Sequence, residues 1–412
     1  MAPHISQRAR RVPASPIRKL MPLADAARER GVEVLHLNIG QPDLPTPEPM
    51  RRRAARVPEV VAYTSSGGTP EYLDFLQGYY RRWGLDLGSE ELVATTGGSE
   101  ALLFAFMACA DPGDEALVAE PYYTNYNAFA VLAGVRLVPL TARGEDGFHL
   151  PAPAAWERAL TPRTRLVLLC NPNNPTGTVY RPEEVRWLAE FCRDHGLFLV
   201  ADEVYREFTY DGRRATGVLE LAGHEDHVVM ADSLSKRFSA CGLRVGALAT
   251  RNREVHEACL RMAQGRLSPP SLGQLAAAGA AELGDDYFAA LTAEFQARRD
   301  VLYDGLRRTP GVFLRKPEGA FYFVVRLPVD DAEAFARFLL ADFSHRGATV
   351  LIAPAEGFYA TLGLGRDEAR IAYVLARPQL ERAVEVLAEA LAAYPGLTRS
   401  PVPAAPASIE RK

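Results

Sequence analysis

Lys236 stands in Ser233-Leu234-Ser235-Lys236-Arg237, and Arg244 follows in Gly242-Leu243-Arg244-Val245-Gly246. A lone lysine is most often a solvated surface charge. Here it follows an apolar run, between two hydroxyls and a second cation, an arrangement suited to a phosphorylated ligand. Asp202 closes another apolar run, in Ala201-Asp202-Glu203-Val204-Tyr205. An unpaired carboxylate is costly there, so it takes either a backbone N–H or a cationic group of a ligand. Tyr205, three residues on, rises on the same rim. Gly97-Gly98-Ser99-Glu100 opens a helical run. Its free N–H groups and helix dipole favour an anion, although such a turn also occurs with no ligand at all. Asn171-Pro172-Asn173-Asn174-Pro175-Thr176-Gly177 is a rigid turn, either a plain loop or a mount for the Asn174 amide against a ligand oxygen.

Each group follows a strand candidate, and together they imply the elements that must position them. The candidates are Glu91–Thr96, Ala116–Glu120, Val135–Leu140, Arg165–Cys170, Leu197–Asp202, His227–Asp232 and Arg244–Thr250. Most are continuous apolar runs, as expected of strands buried on both faces. Helical segments fall between many of them. The clearest starts near Pro182, places Val185, Leu188, Ala189 and Cys192 on one face and stops at Gly196. The alternation predicts an α/β fold with a mostly parallel sheet wrapped by helices, whose ligands bind beyond the carboxyl ends of the strands.

After about Arg266 the rhythm changes. An Ala-rich helical stretch, Gln274 to Arg307, is interrupted near Gly284. Strand candidates Val312–Leu314, Phe321–Arg326 and Arg370–Val374 follow. One helix among them turns Phe335, Phe338 and Leu339 inward, and a last helix presents Leu380, Val384, Leu387 and Leu391. This predicts a smaller α+β domain. The expected division is an arm over 1–45 that belongs to the small domain, a large domain over 46–290, a small domain over 291–397 and a flexible tail over 398–412.

The composition fits this reading. Of 412 residues, 48% are hydrophobic and 24% charged, enough apolar material to exclude disorder over most of the chain. The net charge of −4 speaks against a nucleic-acid binder, which needs a dominant basic field. The longest apolar run, Ala101–Ala110, is far short of a membrane span. The five cysteines (Cys109, Cys170, Cys192, Cys241, Cys259) form no C-x-x-C pair and read as free thiols in a reducing compartment. The first 24 residues carry Arg8, Arg10, Arg11, Arg18 and Lys19 and no acid. Pro3, Pro13, Pro16 and Pro22 would break an amphipathic targeting helix, so we expect an ordered arm on a cytoplasmic protein.

The motifs together resemble the class I/II aminotransferases, fold-type I enzymes that use pyridoxal 5′-phosphate (PLP). The resemblance runs from Leu37-Asn38-Ile39-Gly40-Gln41-Pro42-Asp43 to the Arg370 segment. Its most specific parts are Asn174-Pro175-Thr176-Gly177, Asp202-Glu203-Val204-Tyr205, Ser233-x-Ser235-Lys236 and Gly242-x-Arg244-x-Gly246. It implies a seven-stranded large-domain sheet and a Schiff base between PLP and Lys236, whose amine condenses with an aldehyde once deprotonated. Asp202 would pair with the pyridine nitrogen, and Asn174 and Tyr205 would hold the ring oxygen. Tyr123 would stack on the ring. Gly98, Ser99, Glu100 (through its N–H), Ser233, Ser235 and Arg244 would cup the phosphate. Arg370 would fork onto the substrate carboxylate, with Gly40 adding an N–H. Tyr63 would reach the phosphate of a neighbouring subunit, making a homodimer with shared active sites.

Two departures bear on substrate choice. In some prokaryotic aspartate aminotransferases of this class a lysine occupies the position of Ser99 and reads the side-chain carboxylate. Ser99 cannot form that ion pair, so an aspartate/2-oxoglutarate reaction needs another cation, with Arg18 and Lys19 as candidates. Ala353-Pro354-Ala355-Glu356-Gly357-Phe358 also departs from the more usual A-P-G pattern. The same residues would serve a β-C–S lyase. A catalytically idle module of the same fold is the third reading, and no added basic domain precedes Leu37 to favour it.

Overall fold

The computed structural model describes residues 3–398, and the tail expected to be flexible lies almost wholly outside them. The first strand is β1 (Glu33–His36). The central sheet takes β2 (Leu92–Thr95), β3 (Glu115–Glu120), β4 (Arg136–Thr141), β5 (Thr164–Cys170), β6 (Phe198–Asp202), β7 (Val228–Ser233) and β8 (Gly246–Ala249). Their order is β2-β8-β7-β6-β5-β3-β4. Every neighbouring pair is parallel except the two that β8 makes with β2 and β7. All seven sequence-expected strands are therefore present in a mostly parallel sheet. β8 is shorter than expected because Arg244 takes a left-handed backbone (φ 55°) and cannot extend the strand.

The runs are apolar throughout because both faces are covered. Along β5, Leu166 and Leu168 join one hydrophobic cluster while Val167 and Leu169 join the other, as the two-residue period of a strand requires. The helix Gly98–Cys109 packs on β7 and β8, and Pro182–Asp194 buries Val185, Leu188, Ala189, Phe191 and Cys192. At its end Gly196 (φ 64°) leaves the helix in the left-handed region.

Four short strands, β9 (Phe313–Leu314), β10 (Tyr322–Arg326), β12 (Ala353–Pro354) and β13 (Glu368–Ala372), form a second sheet in the order β12-β13-β10-β9. The Ala-rich stretch divides into Ser271–Ala277, a 3-10 turn over Ala278–Glu282 and a long helix Asp285–Leu306 that begins after Gly284. Several pieces escaped the sequence reading, β12 and the short arm helix Gln7–Arg11 among them. β1 pairs in parallel with β11 (Ala348–Leu351), and Met21–Glu29 is a helix. Pro22 sits in its first turn, where a missing N–H costs nothing, so it starts a helix instead of breaking one. Among the described residues the five cysteines are unpaired, four of them buried, and no helix is long and apolar enough to cross a membrane.

Candidate active site

The parallel strands β3, β5, β6 and β7 end at one edge, at Glu120, Cys170, Asp202 and Ser233. β2 ends there too, since Thr95 and Ser233 both lie opposite Gly246 across β8. The loops leaving this edge carry most of the predicted residues. Gly246 has no room for a side chain, because a Cβ would lie 2.5 Å from the Asp232 carbonyl and 2.8 Å from the Gly97 carbonyl carbon. That close passage brings the Gly97 turn and the Ser233 turn together.

At the helix start, Gly97 (φ 73°) lies against the Arg244 guanidinium, and a Cβ on Gly98 would meet Ser233 Cβ at 3.5 Å. Ser233 Oγ and Ser235 Oγ are 2.8 Å apart. Glu100 turns its carboxylate back to the Thr96 N–H at 2.7 Å and towards Arg266 at 3.4 Å. Its charge thus leaves the helix start, where the first-turn N–H groups have no helical acceptor.

Asp202 is buried. Its Oδ2 accepts from the Tyr126 hydroxyl at 2.7 Å and its Oδ1 from the Val204 N–H at 3.4 Å. Among the described residues it has no cationic partner within ion-pair distance. Burial raises its carboxyl to about 6; the Tyr126 and Val204 hydrogen bonds oppose the rise, Asp232 adds to it and Lys236 opposes it. Lys236 Nζ donates to the Gly40 carbonyl at 2.6 Å and lies 3.9 Å from Cys241 Sγ. Burial lowers its basicity, and Arg370 and Arg244 push the same way. Gly40 thus engages Lys236 through its carbonyl, whereas the resemblance implied a role for its N–H.

A hydrogen-bonded chain crosses the site. Arg370 donates to the Asn174 side-chain oxygen at 3.1 Å, Asn174 to the Tyr205 hydroxyl at 3.4 Å, and the Tyr205 and Tyr322 hydroxyls are 2.9 Å apart. Arg370 also donates to the Asn38 carbonyl at 2.5 Å and lies over the rings of Tyr322 and Phe358. Its buried Nε has no partner among the described residues. Tyr123 is half-buried, edge-on to Tyr126 at 5.5 Å, and accepts from Asn125 at 2.8 Å. Tyr63 stays apart, 80% exposed near Val60 and Val61, so its own chain does not bring it to this edge.

Three contributors were missed. Tyr126 follows Tyr123 at helical spacing, a signal visible in the sequence. Tyr322 is hidden inside the apolar strand run of β10. Asn38 sits in the quoted arm motif but acts through its carbonyl, which residue type does not reveal.

Residues 32–387 match the family model described as aminotransferase class I and II. The chain is a class I/II aminotransferase. The enzyme is 32% identical to the aspartate aminotransferase of Geobacillus stearothermophilus over 372 residues, covering 88% of this chain and 92% of that one. It is equally identical to the aspartate/prephenate aminotransferase of Thermus thermophilus over 375 residues, covering 88% and 92%. Among solved structures, the Thermus thermophilus aspartate aminotransferase with maleate superposes with a TM-score of 0.84 at 30% identity, covering 95% of this chain and all of that one. An alanine aminotransferase from Pyrococcus furiosus also superposes at 0.84, with 28% identity and coverage of 94% and 99%. The family places the enzyme among PLP-dependent transaminases, which act on amino acids and 2-oxo acids.

Proposed function

We propose that the enzyme holds PLP on Lys236 and moves the amino group of a dicarboxylic amino acid, aspartate first, to a 2-oxo acid such as 2-oxoglutarate. The observation that carries this reading is Asp202: a buried carboxylate with no ion-pair partner among the described residues suits a protonated pyridine nitrogen. The rest of the donor set fits the same group. The helix start at Gly98, Ser99 and Glu100, the hydroxyls of Ser233 and Ser235, and Arg244 suit a phosphate. Asn174 and Tyr205 suit a ring oxygen, and Tyr123 suits a ring face. Bound there, PLP supplies an aldehyde for the amine and an electron sink for the carbanion.

The chain's own groups do the remaining work. Arg370 binds the substrate α-carboxylate with its fork, Nε included, and Asn174 holds the fork in plane. Lys236, its basicity lowered by burial, takes the proton from the substrate α-carbon. Asn38 and Gly40 bring the arm over both residues and exclude water.

Arg18 is the proposed reader of the side-chain carboxylate. Lys19 is already paired with Glu333. Arg18 makes no ion pair or side-chain hydrogen bond among the described residues, and it lowers the Tyr123 phenol against the rise caused by burial. Its neighbours seat it: the Ile17 carbonyl accepts from Asn38 at 3.2 Å, and Pro16 fills the space a Cβ on Gly357 would need.

The proposal extends to the assembly. Val57, Val60, Val61, Tyr63 and Leu272 are exposed, and a second copy covering them would present Tyr63 to its partner's phosphate. A large domain over 46–290 and a small one over 291–397, with the arm, belong to the same reading. The buried free thiols suit a reducing compartment, the cytoplasm.

Borohydride reduction of the PLP-loaded enzyme followed by peptide mapping tests the centre of this proposal. The tag is expected on Lys236, and Lys236→Ala is expected to lose turnover. A tag on another lysine overturns the assignment.

A further inference from the structure

Asp232 and Arg237 bracket the turn that carries Ser233, Ser235 and Lys236. Arg237 grips Asp232 with both ends of its fork, at 2.8 Å each, and both side chains are 1% exposed. Asp232 is fully engaged: its Oδ1 also accepts from the Ser233 N–H at 2.7 Å and its Oδ2 from the Tyr80 hydroxyl at 2.8 Å. The guanidinium lies 4.1 Å from the centre of the Tyr79 ring, and the Arg237 carbonyl accepts from Tyr287 at 2.6 Å. A buried ion pair is weak evidence for stability, since well-packed apolar residues often serve as well. Its position across this one turn is what calls for a reason.

We propose that Asp232 and Arg237 are a positioning pair for the transamination: the fork locks the Ser233–Lys236 turn, so that the Lys236 amine and the two serine hydroxyls face the cofactor site together. The inference rests on the assignment of PLP to Lys236. The pair has a second effect, through charge. Asp232 lies near enough to Asp202 to raise its carboxyl, and Arg237 is the principal counter-charge that holds Asp232 ionised without leaving a free anion under the site. Arg206, paired with Glu203, adds a more distant positive charge, and Tyr80 donates to the carboxylate. Facing Asp202 from the other elements are Tyr126, Lys236, Cys170 and Tyr123. Lys236 is faced by Cys241, Arg370, Arg244 and Asp202. Removing the Arg237 charge leaves negative charge uncompensated at Asp232, four residues before Lys236 and coupled to Asp202, which favours the protonated form of the Lys236 linkage.

The experiment uses the PLP-loaded enzyme with Arg237→Gln, Arg237→Lys and the double variant Asp232→Asn/Arg237→Gln. Circular dichroism and borohydride tagging of Lys236 come first. Missing tag in the unmutated enzyme would refute the PLP assignment and leave the clamp aside as a separate failure. With tagging intact, Arg237→Gln is expected to lower kcat about a hundredfold with KM changed less than threefold. The pH at which the cofactor's visible band titrates is expected to move up by about one unit, and the double variant is expected to bring that midpoint back. Where Arg237→Gln does not fold, Arg237→Lys decides: it keeps the charge and loses the fork, so kcat falls about tenfold with the midpoint unmoved. Unchanged kcat and midpoint in the folded variants overturn the proposal and leave the pair a structural contact only.

Discussion

The Tyr126 hydroxyl donates to Asp202 Oδ2 at 2.7 Å, tying the helix after β3 to the end of β6 beneath the proposed PLP site. The bond favours the ionised carboxylate against the pull of burial. A hydrogen bond to a charged group contributes about 1.5–3 kcal/mol, which corresponds to roughly one to two pH units. Tyr126→Phe is therefore expected to move the acid limb of the pH–rate profile upward by about one unit and to lower kcat near neutral pH. A profile that keeps its acid limb in place would show that Tyr126 does not hold Asp202.

The same carboxyl makes a prediction for the cofactor-free protein. Its value rises from 3.8 to about 6 on folding, so between those limits the folded state binds more protons than the unfolded state. Stability must then fall as pH rises from about 4 to 6, by an amount on the order of 3 kcal/mol from this group. Asp202→Asn removes that slope. Denaturant unfolding at several pH values should find the variant more stable than the parent above pH 6 and no more stable near pH 4.

Gly40→Ala tests the contact between arm and β10. The added Cβ would fall 1.7 Å from the Tyr322 hydroxyl, so either the arm lifts or Tyr322 leaves Tyr205. Overpacking of this kind costs about 1–3 kcal/mol. The expected outcome is at least a tenfold loss in kcat/KM, with Lys236 still tagged by borohydride.

Substrate reading is separable from chemistry. Arg18→Gln is expected to raise KM for aspartate about tenfold, the loss of roughly 1.4 kcal/mol in a charge-assisted contact, while alanine turnover stays within twofold. Equal effects on both amino acids would remove Arg18 from the side-chain pocket.

Assembly can be probed at the exposed apolar strip. Leu272→Glu places a charge where a second copy is proposed to dock, and sedimentation should report a shift from dimer to monomer with loss of activity. A monomeric parent enzyme would remove the proposed role of Tyr63.

The strands of the central sheet were legible because two covered faces demand uninterrupted apolar runs, as β5 and β6 illustrate. The loop residues were legible because lysine, aspartate and paired asparagines are conspicuous after such runs. β1 and β11 were not, since each finds its partner at the other end of the chain and neither belongs to the strand–helix alternation of the central sheet. The contributions of Asn38 and Gly40 come from main-chain oxygens, which every residue has. Tyr126 and Tyr322 look like core aromatics until the fold puts their hydroxyls beside Asp202 and Tyr205.

The parallel pairing of Glu33–His36 with Ala348–Leu351 also sets an order of events during synthesis. A ribosome adds roughly 5–20 residues per second, so the nascent chain can lay down all seven central strands several seconds before the partner of its own beginning emerges. Until then β1 has no strand to pair with, and Arg370, the partner of the Asn38 carbonyl, does not yet exist. On the proposed assignment the cofactor groups, Arg244 included, are all made before the fork that takes the α-carboxylate, and a chain cut short after β8 would keep them while lacking Arg370.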